Sequence, residues 1–303
     1  LTEKVTTTKL PEKKFDEIKS GTAETKESEE KVQPPFPFDL TTLQREAYRW
    51  HKITPSQTLS IAQKLYLDGL ISYPRTSSQK VPEAIEPKKI LKKLEKHFPL
   101  AKKSVRSKPI EGSKSDPAHP SIYPTGEYEE LHESGKKIYE LVVKRFIALF
   151  SSDAVFQNKR TNIIASENPE INFTASGMKI KEKGWMEIYP SDSEEKEIPT
   201  LNGKVKIDKI KKVEKETQPP KRYTPASLIT ILEKKNLGTK ATRSSIVDTL
   251  FDRGYLDGKS IEATPLGIRL IESLEKYSPI IIDENLTRQL EEEMEKIQES
   301  KSG

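Results

Sequence analysis

Leu70–Gln79, LISYPRTSSQ, is the stretch from which the rest of this chain is best understood. A short apolar run, Leu70 and Ile71, breaks at Pro74, and the chain opens into Arg75, Thr76, Ser77 and Ser78. One phenol, Tyr73, thus stands beside one fixed cation and three hydroxyls. A phenol near pKa 10 is only about a thousandth ionised at neutral pH, so a tyrosine that attacks phosphorus needs help to lose its proton and to stabilise the crowded phosphate. Arg75 supplies that help in kind: its guanidinium stays charged, offers a planar fork of donors to phosphate oxygens and favours a nearby phenolate. Two residues along an extended chain put both side chains on one face while Pro74 turns away. On composition alone the same stretch also reads as a strand-end tyrosine followed by a polar turn.

The flanking residues separate these readings. Thr54–Ser77, TPSQTLSIAQKLYLDGLISYPRTS, resembles the active-site segment of the type IA DNA topoisomerases, in which the tyrosine of such a Y-x-R-T-x-S element attacks a single strand of DNA. Asp116–Gly126, DPAHPSIYPTG, resembles the second motif of that family, where a histidine near the nucleophile contacts DNA backbone; His119 takes that place. Bacterial members carry Arg where this chain has Tyr123, so no phosphate contact is carried over there. A third block from Arg222, RYTPASLITILEKKNLGTKATRSSIVDTLFDRGYL, resembles the helical domain beside the DNA path. The likeness runs in order from about Pro34 to the C-terminus and is greatest to archaeal members.

The resemblance implies a mixed α/β, multidomain fold: an antiparallel β arch with two mainly helical, winged-helix-like domains. The implied division is residues 1–41 with 154–219 as a discontinuous β arch, 42–153 as the tyrosine domain and 220–303 as the helical DNA-path domain. It further implies a catalytic set of Tyr73, Arg75 and His119, forming a 5′-phosphotyrosyl link during ATP-independent relaxation of negatively supercoiled DNA. Thr76, Ser77, Lys240, Thr242, Arg243 and Arg253 are the DNA-binding candidates. Thr239 and Lys240 replace Arg and Pro of the bacterial wording, so the cationic contact there is shifted or lost, and Lys240 and Arg243 also read as the basic tip of an ordinary helix connection. The family uses Mg²⁺ in an N-terminal domain with a D-x-D-x-E cluster; no D-x-D-x-E occurs here, so no metal ligand is assigned in this chain.

Composition sets wider bounds. At 303 residues the chain can bury several small cores. A charge of +5 from 52 basic and 47 acidic residues suits local basic patches better than a uniform cationic field. Without Cys there is no disulfide, thiolate nucleophile or cysteine-bound zinc. No window approaches eighteen uninterrupted apolar residues and no signal-peptide core is present, so a soluble location is expected; the resemblance implies a cytoplasmic, nucleoid-associated monomer without membrane contact. A start at Leu1 rather than Met suggests a piece of a longer polypeptide. The partners that the resemblance implies are single-stranded segments of negatively supercoiled DNA and an N-terminal domain of the same protein.

Along the chain, Lys4–Leu10 is a candidate strand, and Pro34, Pro35 and Pro37 make a stiff connector. Thr41–Trp50 reads as a helix. Thr54, Pro55 and Gln57 start a second with a capping box, Leu59, Ala62, Leu65 and Tyr66 forming its inner stripe and Gly69 its end. Nine basic residues against one acid between Lys88 and Lys108 read as a solvated face rather than a phosphate-tracking surface. Glu127–Phe150 reads as helix. Alternation around Ile171–Ala175 and Lys204–Ile207 indicates half-exposed strands, with Gly177, Gly184 and Asn202-Gly203 as turns. After Pro219-Pro220, helices from Thr224 and Thr242 and a hairpin at Asp257-Gly258 suggest a winged-helix module with Leu228, Ile231 and Leu232 buried.

Three rival signals lead elsewhere. Tyr255 also follows a helix and a Gly, but Leu256 and Asp257 supply no cation, so it reads as packing. Gly258-Lys259-Ser260 ends like a phosphate-binding loop, yet Arg253 occupies the earlier glycine position and a hairpin is predicted. Asp192, Glu194, Glu195 and Glu197 form an acidic cluster that reads as a solvated loop. The alternatives of another class are a non-catalytic winged-helix protein in which Tyr73 stacks on a base, or the topoisomerase portion of a reverse gyrase.

Overall fold

The computed structural model describes residues 15, 17–213 and 215–300, so the candidate strand Lys4–Leu10 lies outside the described residues. Two compact units are present, Leu1–Pro34 with Ser151–Gln218, and Pro35–Phe150 with Pro219–Gly303. Each is assembled from stretches distant in sequence. The second unit unites residues on both sides of the Pro219-Pro220 break.

In the first unit, β1 (Ser20–Val32), β2 (Ala154–Ala165), β3 (Asn172–Glu182) and β4 (Gly203–Lys206) form one antiparallel sheet in the order β3-β2-β1-β4. The register of β1 against β2 runs from Gly21↔Ala165 to Val32↔Ala154. Thus the N-terminal segment does pair with the 154–206 strands. The apolar core gathers at one end, where Ile18, Ala165, Ile171 and Phe173 are buried. Towards the other end charges pair across strands, Lys159 with Glu27 at 3.1 Å and Lys181 with Glu29, as suits a ladder wetted on both faces. Trp185 Nε1 donates to Val32 O at 2.9 Å and fixes the far end of β1. Gly177 does not make a turn: it lies inside β3, where Met178 pairs with Lys196, and a Cβ there would come within 2.6 Å of Lys196 O. Close backbone approach, not φ, is what requires glycine at this position.

The second unit opens with α1 (Leu40–His51), started by a capping box in which Thr42 N donates to Asp39 Oδ1 at 2.7 Å and Asp39 N to Thr42 Oγ1 at 3.1 Å. In α2 (Pro55–Leu67), Thr54 N donates to Gln57 Oε1 at 3.2 Å and Gln57 N to Thr54 Oγ1 at 3.4 Å, the box read from the sequence. Thr58, Ala62 and Leu65 are its buried face; the Thr58 hydroxyl is satisfied by Thr54 O at 2.9 Å. Tyr66 is 39 % exposed and is not part of the inner stripe, because it sits one position round from Leu65. Gly69, at φ 75°, turns the chain out of the helix, with Leu70 N donating back to Leu65 O at 2.9 Å.

Ile90, Leu91 and Leu94 bury one side of α3 (Pro87–Leu94), leaving its lysines outward. The central helix α4 (Glu133–Leu149) begins six residues later than the periodicity predicts, since the Tyr139 hydroxyl donates to Glu127 O and holds the preceding stretch out of helical form. Its buried Arg145 lies 3.6 Å from Glu46 and 4.3 Å over the Phe38 ring, so the charge is paired as burial demands. The remainder comprises α5 (Pro225–Lys234), α6 (Arg243–Asp252), the hairpin β5–β6 (Leu256–Asp257, Glu262–Ala263), α7 (Pro265–Tyr277) and α8 (Glu284–Ser300). Ala226 and Ile229 are the fully buried residues of α5, whereas Leu228, Ile231 and Leu232 are half-buried. Among the described residues no helix is long and apolar enough to cross a membrane.

Candidate functional site

Tyr73 is held by what lies on either side of it. Leu70 and Ile71 are buried, and Ile71 pairs once, antiparallel, with Pro124. Ser72 N donates to Tyr123 O at 2.9 Å, Ser72 Oγ to Ser121 O at 3.0 Å, and Tyr123 N returns to Ser72 Oγ at 3.0 Å. The segment is extended without becoming a strand, because Pro74 and Pro124 have no N–H with which to continue a ladder. Beyond Pro74, Leu40 N donates to Thr76 O at 3.0 Å and Gln79 N to Lys114 O at 2.9 Å. The tyrosine is therefore fixed from both directions.

The half-buried Tyr73 ring lies between two others. His119 approaches with ring centroids 4.5 Å apart at 47°, and the Tyr66 edge meets it at 5.3 Å and 76°. This brings the two motifs of the sequence together at one point. Arg75 is half-buried, has no ion-pair or hydrogen-bond partner among the described residues, and its Nε is buried without an acceptor. A guanidinium left that way suits an arriving anion, since a buried donor with nothing to bond to is costly until something supplies an acceptor.

A residue that the sequence reading quoted without a role, Asp116, organises the surroundings. Its side chain is 2 % exposed and pairs with Lys240 Nζ. Oδ2 also accepts Ser77 N at 3.2 Å and Ser77 Oγ at 3.1 Å, while Oδ1 accepts Ala118 N at 3.1 Å and His119 N at 3.3 Å. Burial alone would raise its pKa, but the Lys240 ammonium and the Ser77 and Ala118 amides hold it well below the usual carboxylate range. The visible signal was an Asp two and three residues before free amides in a Pro-rich loop, the pattern of a side chain that mimics a turn.

The DNA-binding candidates fall in distinct settings. Thr76 is buried, its hydroxyl donating to His119 O at 3.3 Å and accepting Ser78 N at 3.0 Å. Ser77 faces Asp116, as does Lys240. Thr242 bonds Thr239 N at 2.9 Å, closing the turn after α5. Arg243 donates through Nε to Leu237 O at 3.1 Å, and burial lowers its pKa. Arg253 is exposed at the end of α6, and Tyr255 begins the hairpin, its carbonyl accepting Thr264 N at 3.0 Å. Nearby, Lys114 bridges Asp39 at 3.2 Å and Glu233 at 2.8 Å. Burial works against its charge, and the bond to Glu233 with the Asp39 field overcomes that and raises its pKa.

Among the described residues no three His, Asp or Glu side chains come together as a metal site. Of the acidic cluster, Glu195 accepts Ile180 N at 2.7 Å, which ties it to β3. The described residues thus bring no convergent set of carboxylates together that would fit Mg²⁺.

A protein-family model described as DNA topoisomerase matches residues 2–303. The chain is 46 % identical over 277 residues to DNA topoisomerase 1 of Methanothermobacter thermautotrophicus, covering 89 % of this chain and 38 % of that protein. To DNA topoisomerase 1 of Methanocaldococcus jannaschii it is 46 % identical over 298 residues, 95 % of this chain and 39 % of that one. The chain therefore spans about two fifths of the length of these relatives. Among solved structures, full-length topoisomerase I from Thermotoga maritima superposes with a TM-score of 0.77 at 27 % identity, over 95 % of this chain and 50 % of that one.

Proposed function

Because the chain belongs to the type IA DNA topoisomerase family, we propose that it is the tyrosine-bearing part of an enzyme that breaks and rejoins one strand of DNA. Tyr73 Oη attacks the phosphorus of a single-stranded phosphodiester. The bond from phosphorus to the 3′ oxygen breaks, the 5′-phosphate stays on Tyr73, and the departing oxygen takes up a proton to become a free 3′-hydroxyl. Rejoining reverses the exchange. Since one phosphodiester replaces another, bond energy is nearly conserved, and negatively supercoiled DNA relaxes without ATP.

Arg75 stabilises the five-coordinate phosphorus with a charge that has no competing partner among the described residues, the kind of preorganised stabilisation that costs no rearrangement during reaction. His119 contacts the adjoining DNA backbone from its position against the Tyr73 ring. Thr76, Ser77, Lys240, Thr242, Arg243 and Arg253 are the further contacts proposed along the strand. In this reading the sheet forms part of an arch, and α5, α6 and the hairpin act as a winged-helix-like module beside the DNA path. Mg²⁺, which the family uses in resealing, has no fitting site among the described residues, and no step is assigned to it. The protein works as a cytoplasmic monomer whose other partner is the remainder of the family's polypeptide.

The observation that carries this reading is the Tyr73 ring tilted against His119 with centroids 4.5 Å apart, on the same short segment as a guanidinium whose Nε is buried without an acceptor among the described residues. Its test uses a version with the segments that its relatives carry beyond this chain, and oligonucleotides labelled at one end or the other. A denaturing gel should show the 3′-end label moving with the protein and the 5′-end label released on a shortened strand. The opposite labelling pattern, or only reversible salt-sensitive binding, contradicts it and favours a non-catalytic binding module.

A further inference from the structure

We infer that Asp116 is a positioning residue for strand breakage, holding the Tyr73 segment, the His119 loop and the turn after α5 in one arrangement without itself meeting DNA. The inference rests on the proposed role of Tyr73. One carboxylate accepts four hydrogen bonds from Ser77, Ala118 and His119 and pairs with Lys240. Ser77 lies four residues after Tyr73, and His119 is the residue whose ring faces it. The Thr76 hydroxyl, at 3.3 Å from His119 O, is a second link between the same two segments. With these links in place, the approach of the phenol to the imidazole is set by hydrogen bonds rather than by ring contact alone.

The connection to Lys240 is crossed by another. Lys114, two residues before Asp116, pairs with Glu233 of α5, while Lys240 beyond α5 pairs with Asp116. Each segment thus contributes one cation and one anion. Asp116 stands apart because one carboxylate is shared by this clasp, the Tyr73 segment and the His119 loop. At 2 % exposure its side chain has no room to address a phosphate, and its negative charge would repel one. Asparagine, with one acceptor oxygen and a donor amide, would turn N–H groups towards either the backbone amides or the ammonium, so one side of the arrangement must open.

Two measurements test this. In a version carrying the segments that its relatives have beyond this chain, single-turnover cleavage at saturating oligonucleotide should fall about 100-fold in Asp116→Asn, the order expected when a reacting group shifts by about an ångström. Asp116→Glu, which keeps the charge and folds more readily, should lose about 10-fold, and oligonucleotide affinity should change by less than about 3-fold in both. Cleavage at the wild-type rate in either variant, or affinity falling in step with rate, overturns the inference. Independently of any cleavage, the ring-current shift that Tyr73 imposes on the His119 imidazole protons should collapse in Asp116→Asn and persist in part in Asp116→Glu. If that shift survives Asp116→Asn unchanged, Asp116 does not position these residues, whatever Tyr73 proves to do. If adducts persist in Tyr73→Phe while the His119 shift collapses as stated, the nucleophile assignment fails and the positioning geometry stands.

Discussion

Arg75, directly beyond the proline that follows Tyr73, carries a guanidinium whose Nε is buried without an acceptor among the described residues. A buried unpaired donor costs about 1–3 kcal/mol, so removing it should not weaken the fold. Arg75→Met is expected to match or exceed the wild type in urea denaturation while strand cleavage falls about 100- to 1,000-fold, the loss typical of one transition-state donor. A destabilised variant with normal cleavage would contradict both halves. Asp116 behaves in the opposite sense. Its folded pKa lies below the unfolded one, so its contribution to stability is complete above the ordinary aspartate value of about 3.9 and is lost as pH falls through the folded value. The stability difference between wild type and Asp116→Asn, followed by denaturant titration, should be constant near neutrality and should shrink below about pH 4. A difference that grows on acidification would be incompatible with this pairing.

At the scale of elements, α2 aims the tyrosine, and its start was readable in advance because Thr54, Pro55 and Gln57 carry a complete cap within four residues. Thr54→Ala should cost about 1 kcal/mol in denaturant unfolding; no measurable loss would mean that the cap does not bear on this unit. Where expectation and structure differ, the deciding contact lies outside the local periodic pattern. Apolar spacing puts Tyr66 in the inner stripe, whereas its ring is exposed and meets the Tyr73 ring edge-on. Gly177 looked like a turn, and only the Lys196 backbone, brought alongside β3, explains a glycine in mid-strand. The late start of α4 depends likewise on Tyr139 reaching Glu127 O. Local chemistry was legible; the partners that override it were not.

Over the whole molecule, the union of the N-terminal segment with β2 and β4 followed from family likeness, since alternation alone shows that a strand exists but not what it pairs with. Tyr73 and Arg75 are proposed from the chemistry of phosphate attack together with the family likeness of the flanking residues, and His119 from its motif; what the structure adds is the contact of the Tyr73 and His119 rings. The Asp116–Lys240 link joins residues 124 apart and leaves no periodic trace. With no fitting Mg²⁺ site among its described residues, the chain by itself should leave negatively supercoiled plasmid unrelaxed on an agarose gel, and relaxation by the purified chain would refute the division of labour proposed here. The most direct test of the central claim is to trap, on single-stranded DNA, a version carrying the segments that its relatives have beyond this chain, digest the DNA and protein, and locate the nucleotide-bearing residue by mass spectrometry. The account predicts a phosphonucleotide on the peptide containing Tyr73; the same modification on Tyr255, on any other residue, or on none would contradict it.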